Sequence, residues 1–156
     1  MELDQKDLKL IALLQENGRI SNTDLAAAID LSPPGLQKRL RKLEDNRVIT
    51  GYFARIDREA LGFDMLCFVQ VTLARHEPGA VANFRQVVQD MPEVLECHHV
   101  TGESDYLLKI VVRNRKHLEK FLMESLTPIR GMDRLRTSLV LRPIKETLSL
   151  PIDQPA

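Results

Sequence analysis

Residues 20–46 read ISNTDLAAAIDLSPPGLQKRLRKLEDN, and the spacing inside them decides the first half of the fold. Ser21 and Ser32 each stand where a helix N-cap belongs. Each has an apolar residue just before it (Ile20, Leu31) and another four residues after it (Leu25, Leu36). A capping hydroxyl accepts from a backbone N–H of the first turn, and the apolar pair staples the entering chain. Pro33 falls on the first helical position, where its missing N–H costs nothing. Only Asp30 and Leu31 separate the two helices. The same device occurs upstream, where Leu3 and Asp4 precede Asp7 and Leu8, and Asn17-Gly18 supplies the stop. Helices are therefore predicted over roughly 4–16, 21–29 and 32–46. Two short helices joined tightly and followed by a longer one form a helix-turn-helix pattern.

The third of these helices divides into faces. Leu36, Leu40 and Leu43 make an inward stripe, while Gln37, Lys38, Arg41 and Lys42 fall outward. Arg39 flanks the stripe and suits either an internal pair, with Glu44 as the nearest acid, or a phosphate contact. Residues 31–50 hold five bases and two acids, whereas residues 1–62 hold ten of each, so the positive excess belongs to this helix. Its tip, Ser32-Pro33-Pro34-Gly35, has small side chains. A helix that enters a DNA major groove needs small or polar residues at its tip and cations along its flanks. The plain alternative is a solvated charged face.

Downstream the period changes. Residues 47–57 read as a strand, a wing or a linker, and 57–63 break it. Strands are predicted at 65–74, 94–101, 106–112 and 135–142. HEPG at 76–79 separates the first of them from a helix marked by Ala80, Val81, Phe84, Val87, Val88 and Met91. A second helix, capped by Asn114, runs to about 126. The order β-α-β-β-α-β is the ferredoxin-like plan. The predicted class is α+β. A three-helix, winged helix-turn-helix domain (1–50) leads through a linker (51–63) to a ferredoxin-like domain (64–142) and a tail (143–156). The two helices cover one face of the sheet. The other, set by Leu107 and Val111, reads as apolar and implies a partner surface, here a second copy of the chain.

Totals exclude several classes. The chain has 156 residues and a formal net charge of zero, so bulk charge calls for neither nucleic acid nor membrane. No apolar run reaches the ~18 residues of a membrane span. Acids occupy the N-terminus where a signal peptide would be basic, which points to the cytoplasm. Cys67 and Cys97 each lie in an apolar run and read as buried, reduced thiols.

The loop in HHVTGESDYLLKIVV, residues 98–112, packs Gly102, Glu103, Ser104 and Asp105 between two strands. A glycine loop can aim backbone N–H groups at a carboxylate, and an acid can hold an ammonium, so the loop suits a free amino acid. A hairpin turn is the plain alternative. A metal site would recruit Cys97, His98 and His99 with Glu103 or Asp105, but neighbours on a strand alternate faces, so the three cannot converge. No nucleophile elbow, phosphate-binding glycine loop or zincin helix is present, so no catalytic residue is assigned. A small metabolic enzyme on the ferredoxin-like core would leave residues 1–46 without a purpose. An amino-acid sensor whose head contacts protein instead of DNA is a further reading.

Three stretches carry a resemblance: LDQKDLKLIALLQENGRISNTDLAAAIDLSPPGLQKRLRKLEDNRVITGY (3–52), ECHHVTGESDYLLK (96–109) and RTSLVLRPIKETLSLPI (136–152). In order and nearly end to end, the chain resembles the Lrp/AsnC (feast/famine) transcriptional regulators. The resemblance implies a recognition helix from Ser32 to Glu44, with Ser32, Pro34, Gly35, Gln37, Lys38, Arg41 and Lys42 facing double-stranded DNA. It implies an effector site at Thr101, Gly102, Glu103, Asp105 and Tyr106, completed by Thr137, Ser138 and Leu139 between neighbouring subunits. It also implies an amino-acid effector with no cofactor or metal, and a homodimer assembling further, often to an octamer. Pro34-Gly35 departs from the Thr, Ser, Ala or Val common at the family's helix tip.

Overall fold

The computed structural model describes residues 2–74 and 78–152. The chain forms two units. One runs to Arg55 and takes the chain back from Lys145, and the other is Ile56–Ile144.

The first unit holds α1 (Gln5–Glu16), α2 (Asn22–Ala28) and α3 (Pro33–Asp45). Their starts follow from the capping residues. Asp4 accepts from the Asp7 N–H at 2.8 Å, and Asp7 returns the bond to the Asp4 N–H at 3.1 Å. Ser21 caps α2 through the Asp24 N–H, and Ser32 caps α3 through the Gly35 N–H. The chain turns from α2 into α3 at Asp30, whose φ of +52° lies in the left-handed region. Leu10, Leu25, Ala26, Ile29, Leu36 and Leu43 close into one buried cluster. This is a small core, so each member carries a large share of the unit's stability.

Residues 47–57 form no strand, which corrects the wing or linker strand predicted there. No neighbouring strand offers them a ladder. Instead Phe53 is 86% exposed, the Tyr52 hydroxyl donates to Glu44, and Arg55 pairs with Glu146 of the tail. The tail folds back on α1 as well. The Gln15 amide donates to the Leu150 carbonyl at 3.1 Å and accepts from the Leu150 N–H at 2.6 Å.

The second unit is the predicted ferredoxin-like layer. It comprises β1 (Met65–Leu73), α4 (Pro78–Gln89), β2 (Val94–His99), β3 (Tyr106–Val112), α5 (Arg115–Lys120) and β4 (Met132–Leu139). A π-helical stretch, Phe121–Leu126, continues α5. The sheet is antiparallel in the order β2-β3-β1-β4. Cys67, Val69, Val71 and Leu73 alternate inward from β1 and meet Tyr106, Leu108, Ile110 and Val112 of β3. Phe84, Val88, Phe121 and Leu126 cover them from the helices. The predicted break at 76–79 begins on residues outside the described ones, and α4 starts at Pro78, two residues earlier than the periodicity suggested.

Two expectations are corrected here. Cys97 is exposed, because β2 is an edge strand and an open groove separates it from α4. The uncovered sheet face is not a bare apolar surface. Leu66 and Val111 are already buried, Phe68 is 37% exposed, and the rest of that face carries Glu96 paired with Lys109 and His98, plus Arg134 and Arg136.

Candidate nucleic-acid interface and effector site

The leucines of α3 point inward and fix its outer face. Pro34, Gln37, Lys38, Arg41, Lys42 and Asp45 line one shallow groove there, and all are exposed. The four basic side chains inside the helix sort by partner. Arg39 donates to Asp4 at 2.7 Å and to the buried Asp7 at 2.6 Å, not to Glu44 as the sequence suggested. The N-terminus of α1 lies beside Arg39, and a carboxylate with 1% exposure needs a cation. Hydrogen bonding from Arg39 holds the Asp4 carboxyl below its ordinary value. Lys38, Arg41 and Lys42 have no side-chain partner among the described residues. One cation of α3 is therefore structural, and three are left for an outside anion.

The tip residues separate as well. Ser32 is the N-cap, and its oxygen takes the Gly35 N–H at 3.3 Å. Gly35 does not face the groove, because a Cβ there would meet Ser32 Oγ at 3.2 Å and Leu31 Cδ2 at 4.0 Å. Pro34 does face it.

In the second unit, Val100 N–H donates to the Asp105 carbonyl, and Asp105 N–H donates to the Val71 carbonyl. These two bonds pin a loop between β2 and β3. Gly102 has φ +117°, a conformation that glycine alone adopts at low cost, and open space lies where a Cβ would stand. The N–H groups of Gly102, Glu103 and Ser104 meet no acceptor among the described residues. Three adjacent donors on a positive-φ loop suit a carboxylate. Asp105 has another task. Its Oδ2 accepts from the Leu73 N–H at 2.7 Å, which ties the loop to the end of β1. Glu103 is open to solvent, with its carboxylate 3.8 Å from Arg136 of β4.

Tyr106 does not join the loop. It is 3% exposed, stacks on Phe84 at 4.6 Å and on His99 at 5.1 Å, and its hydroxyl accepts from Arg85 at 3.3 Å. Thr101 is exposed at the loop's start. Thr137, Ser138 and Leu139 are exposed on β4, with β1 lying between them and β3. Tyr106 and Leu135 both face Val71, so Thr137 to Leu139 sit two to four residues further along. At ~4.8 Å per strand, about 10 Å of sheet width also separates them from the loop. One chain does not gather the whole predicted set. Arg136, which sequence reasoning passed over, reaches the loop instead, and its place opposite Gln70 was fixed only by strand register. Cys97, His98 and His99 alternate across the strand as expected, and no metal-binding cluster occurs among the described residues.

Comparison with known proteins gives each part of the chain a domain type. Residues 3–50 match the model of a winged helix-turn-helix DNA-binding domain, and residues 66–150 match the Lrp/AsnC ligand binding domain. The leucine-responsive regulatory protein of Rhizobium meliloti is 37% identical over 152 residues, 97% of each chain. A transcriptional regulator of Neisseria meningitidis, solved as a complex with L-methionine, superposes with a TM-score of 0.92. It is 35% identical and covers 97% of this chain and 98% of its own. A feast or famine regulatory protein from M. tuberculosis, also complexed with L-methionine, gives 0.82 at 31% identity, over 96% of this chain and 99% of its own. The α+β order, the helix-turn-helix with its capped third helix and the two domain matches together make this chain a member of the Lrp/AsnC family of transcriptional regulators.

Proposed function

We propose that the chain is a DNA-binding transcriptional regulator in which α3 enters the major groove and an amino acid held at the 100–105 loop adjusts that binding. One observation carries the DNA half. Arg39 is consumed inside the head, while Lys38, Arg41 and Lys42 stand exposed and unpaired among the described residues on the same helix. Those three, with the Ser32 hydroxyl, contact phosphates, while Pro34 and Gln37 face the bases. The protein acts by binding and not by catalysis, as the regulators it resembles are named to do.

In the effector half, the N–H groups of Gly102 to Ser104 take the ligand's carboxylate. Glu103 takes its ammonium, and Asp105 holds the loop in shape. Methionine, bound by two relatives, is the first ligand to try. Because Thr137, Ser138 and Leu139 lie apart from the loop within one chain, they complete the site from a neighbouring subunit. A homodimer, assembling further toward an octamer, also covers apolar side chains that a single chain leaves bare. Leu141 and Ile144 are 92% and 89% exposed. Free thiols at Cys67 and Cys97, and the lack of any described helix long and apolar enough to cross a membrane, suit work in the cytoplasm.

The test is binding of the full chain to the DNA upstream of its own gene, followed across salt concentrations. A dimer with about eight phosphate contacts gives a log–log slope of about −7, and Lys38→Ala or Arg41→Ala each removes about one unit per phosphate lost. A flat salt response, or no binding, overturns the DNA half and favours a sensor acting through protein partners. Calorimetry against the twenty amino acids tests the effector half, and twenty silent titrations overturn it.

A further inference from the structure

The N-terminus of α3 is built so that it cannot hold a phosphate by its backbone. A helix start ordinarily offers its first N–H groups to an anion. Here the first two helical positions are Pro33 and Pro34, which have no N–H. The third, Gly35, gives its N–H to Ser32 Oγ at 3.3 Å, and the fourth, Leu36, gives its N–H to the Ser32 carbonyl at 2.9 Å. No donor is left. What the tip presents outward is the exposed Pro34 ring, with Gln37 one turn behind it on the same groove wall. The Gln37 amide has no partner among the described residues.

The chemistry of those two groups differs from that of the cations beside them. A proline ring offers only apolar surface, and the one apolar group on a major-groove base edge is the thymine 5-methyl. A glutamine amide is a paired donor and acceptor, which matches the N7 acceptor and N6 donor of adenine. Residues three apart on a helix are surface neighbours and differ by about 4.5 Å in rise, close to the 3.4 Å base step. We infer that Pro34 and Gln37 are specificity-determining residues which read two adjacent A·T pairs in each half-site. Pro34 packs on a thymine methyl, and Gln37 bonds the neighbouring adenine. This rests on the reading that α3 enters the major groove.

The experiment selects duplexes from a random library with the full-length protein, then edits the selected site atom by atom. Replacing thymine by deoxyuridine removes only the methyl, and replacing adenine by 7-deazaadenine removes only the N7 acceptor. One uracil position per half-site should weaken binding about 4-fold, the worth of one buried methyl. That loss should shrink below twofold in Pro34→Ser. The adjacent 7-deazaadenine should cost at least about 5-fold, and the loss should vanish in Gln37→Ala. Both positions are exposed, and melting curves that match the parent confirm that the variants fold. A site insensitive to every uracil, or one whose sensitivities persist unchanged in both variants, overturns the inference. If Lys38→Ala and Arg41→Ala leave affinity unchanged for every sequence, the groove reading itself fails, a result distinct from loss of the base-specific terms alone.

Discussion

On α3 the helical repeat alone aligns Pro34, Gln37, Lys38 and Arg41, whereas Glu103 and Arg136 meet because a loop and the outermost strand are brought together across β1. The first surface belongs to one element that holds its own geometry once its leucines are buried. The second has no geometry until the sheet has formed, and on the proposed reading a neighbouring subunit completes it. The DNA face should therefore fail only when its own unit fails, while the effector site should fail from small local changes that leave the fold intact.

The largest effect expected tests the first half of that contrast. Leu36 is fully buried under α3 in a core of six described residues. Leu36→Ala should cost the head about 2–5 kcal/mol, a large fraction of what so small a unit has. DNA binding should disappear and amide exchange should rise across α1 to α3, with β1 and β3 keeping their protection. Equal loss of protection in both units would show that the two do not stand apart.

The second half is tested at Gly102. A valine there must adopt φ +117°, a strain of about 1–3 kcal/mol, with nothing nearby to clash with. The loop should relax and lose its row of N–H groups. Gly102→Val is expected to abolish the response to whichever amino acid the parent binds while changing affinity for DNA less than twofold. Asp105→Ala should do the same, because it removes the side chain that accepts from the Leu73 N–H and holds the loop in shape. If both variants bind that amino acid as the parent does, the loop is not part of the site.

The same contrast explains what could be read from the sequence. The outer face of α3 was legible because cap, staple and leucine stripe all lie within residues 31–43, and each acts on near neighbours. The partner of Arg39 was not, since Asp4 and Asp7 lie 35 and 32 residues away and Glu44 was merely closest in the chain. The 100–105 loop was legible as a glycine-acid loop, but where its side chains turn was not. Asp105 turns toward Leu73, Tyr106 turns into the core, and Arg136 arrives from β4, and all three depend on register. Residues 47–57 have strand composition and form none, because composition does not supply a ladder partner.

Acid should separate the units next. Asp4 is held below its ordinary value of 3.8, mainly by the Arg39 hydrogen bond. A depressed carboxyl stabilises the fold above that value, and the contribution is lost as pH falls through the lower folded value. Arg39→Met removes the bond and leaves the buried Asp7 without its cation, at about 1–3 kcal/mol. In the variant, unfolding of the head should lose that part of its pH dependence below about pH 4. Identical acid profiles for parent and variant would mean that the Asp4–Asp7–Arg39 cluster does not hold the head together.

The smallest effect returns to backbone strain, now in the head. Asp30 turns α2 into α3 at φ +52° without being glycine, and its carbonyl accepts from the Lys6 ammonium at 3.0 Å. Left-handed backbone strains a residue with a Cβ, and glycine relieves this while gaining freedom in the unfolded chain. The two terms nearly offset, so Asp30→Gly should raise stability by about 0.5 kcal/mol, with the Lys6 bond kept because it uses the backbone. Gly102 and Asp30 thus make a pair of positive-φ positions. The head tolerates a side chain at Asp30 because helices on both sides hold the turn. The 100–105 loop is held by two backbone bonds and by the Asp105 side chain, with no helix on either side of it, so a side chain at 102 should cost function. If Asp30→Gly loses stability by more than 1 kcal/mol, the turn depends on the Asp30 side chain, and the contrast between the two positions collapses.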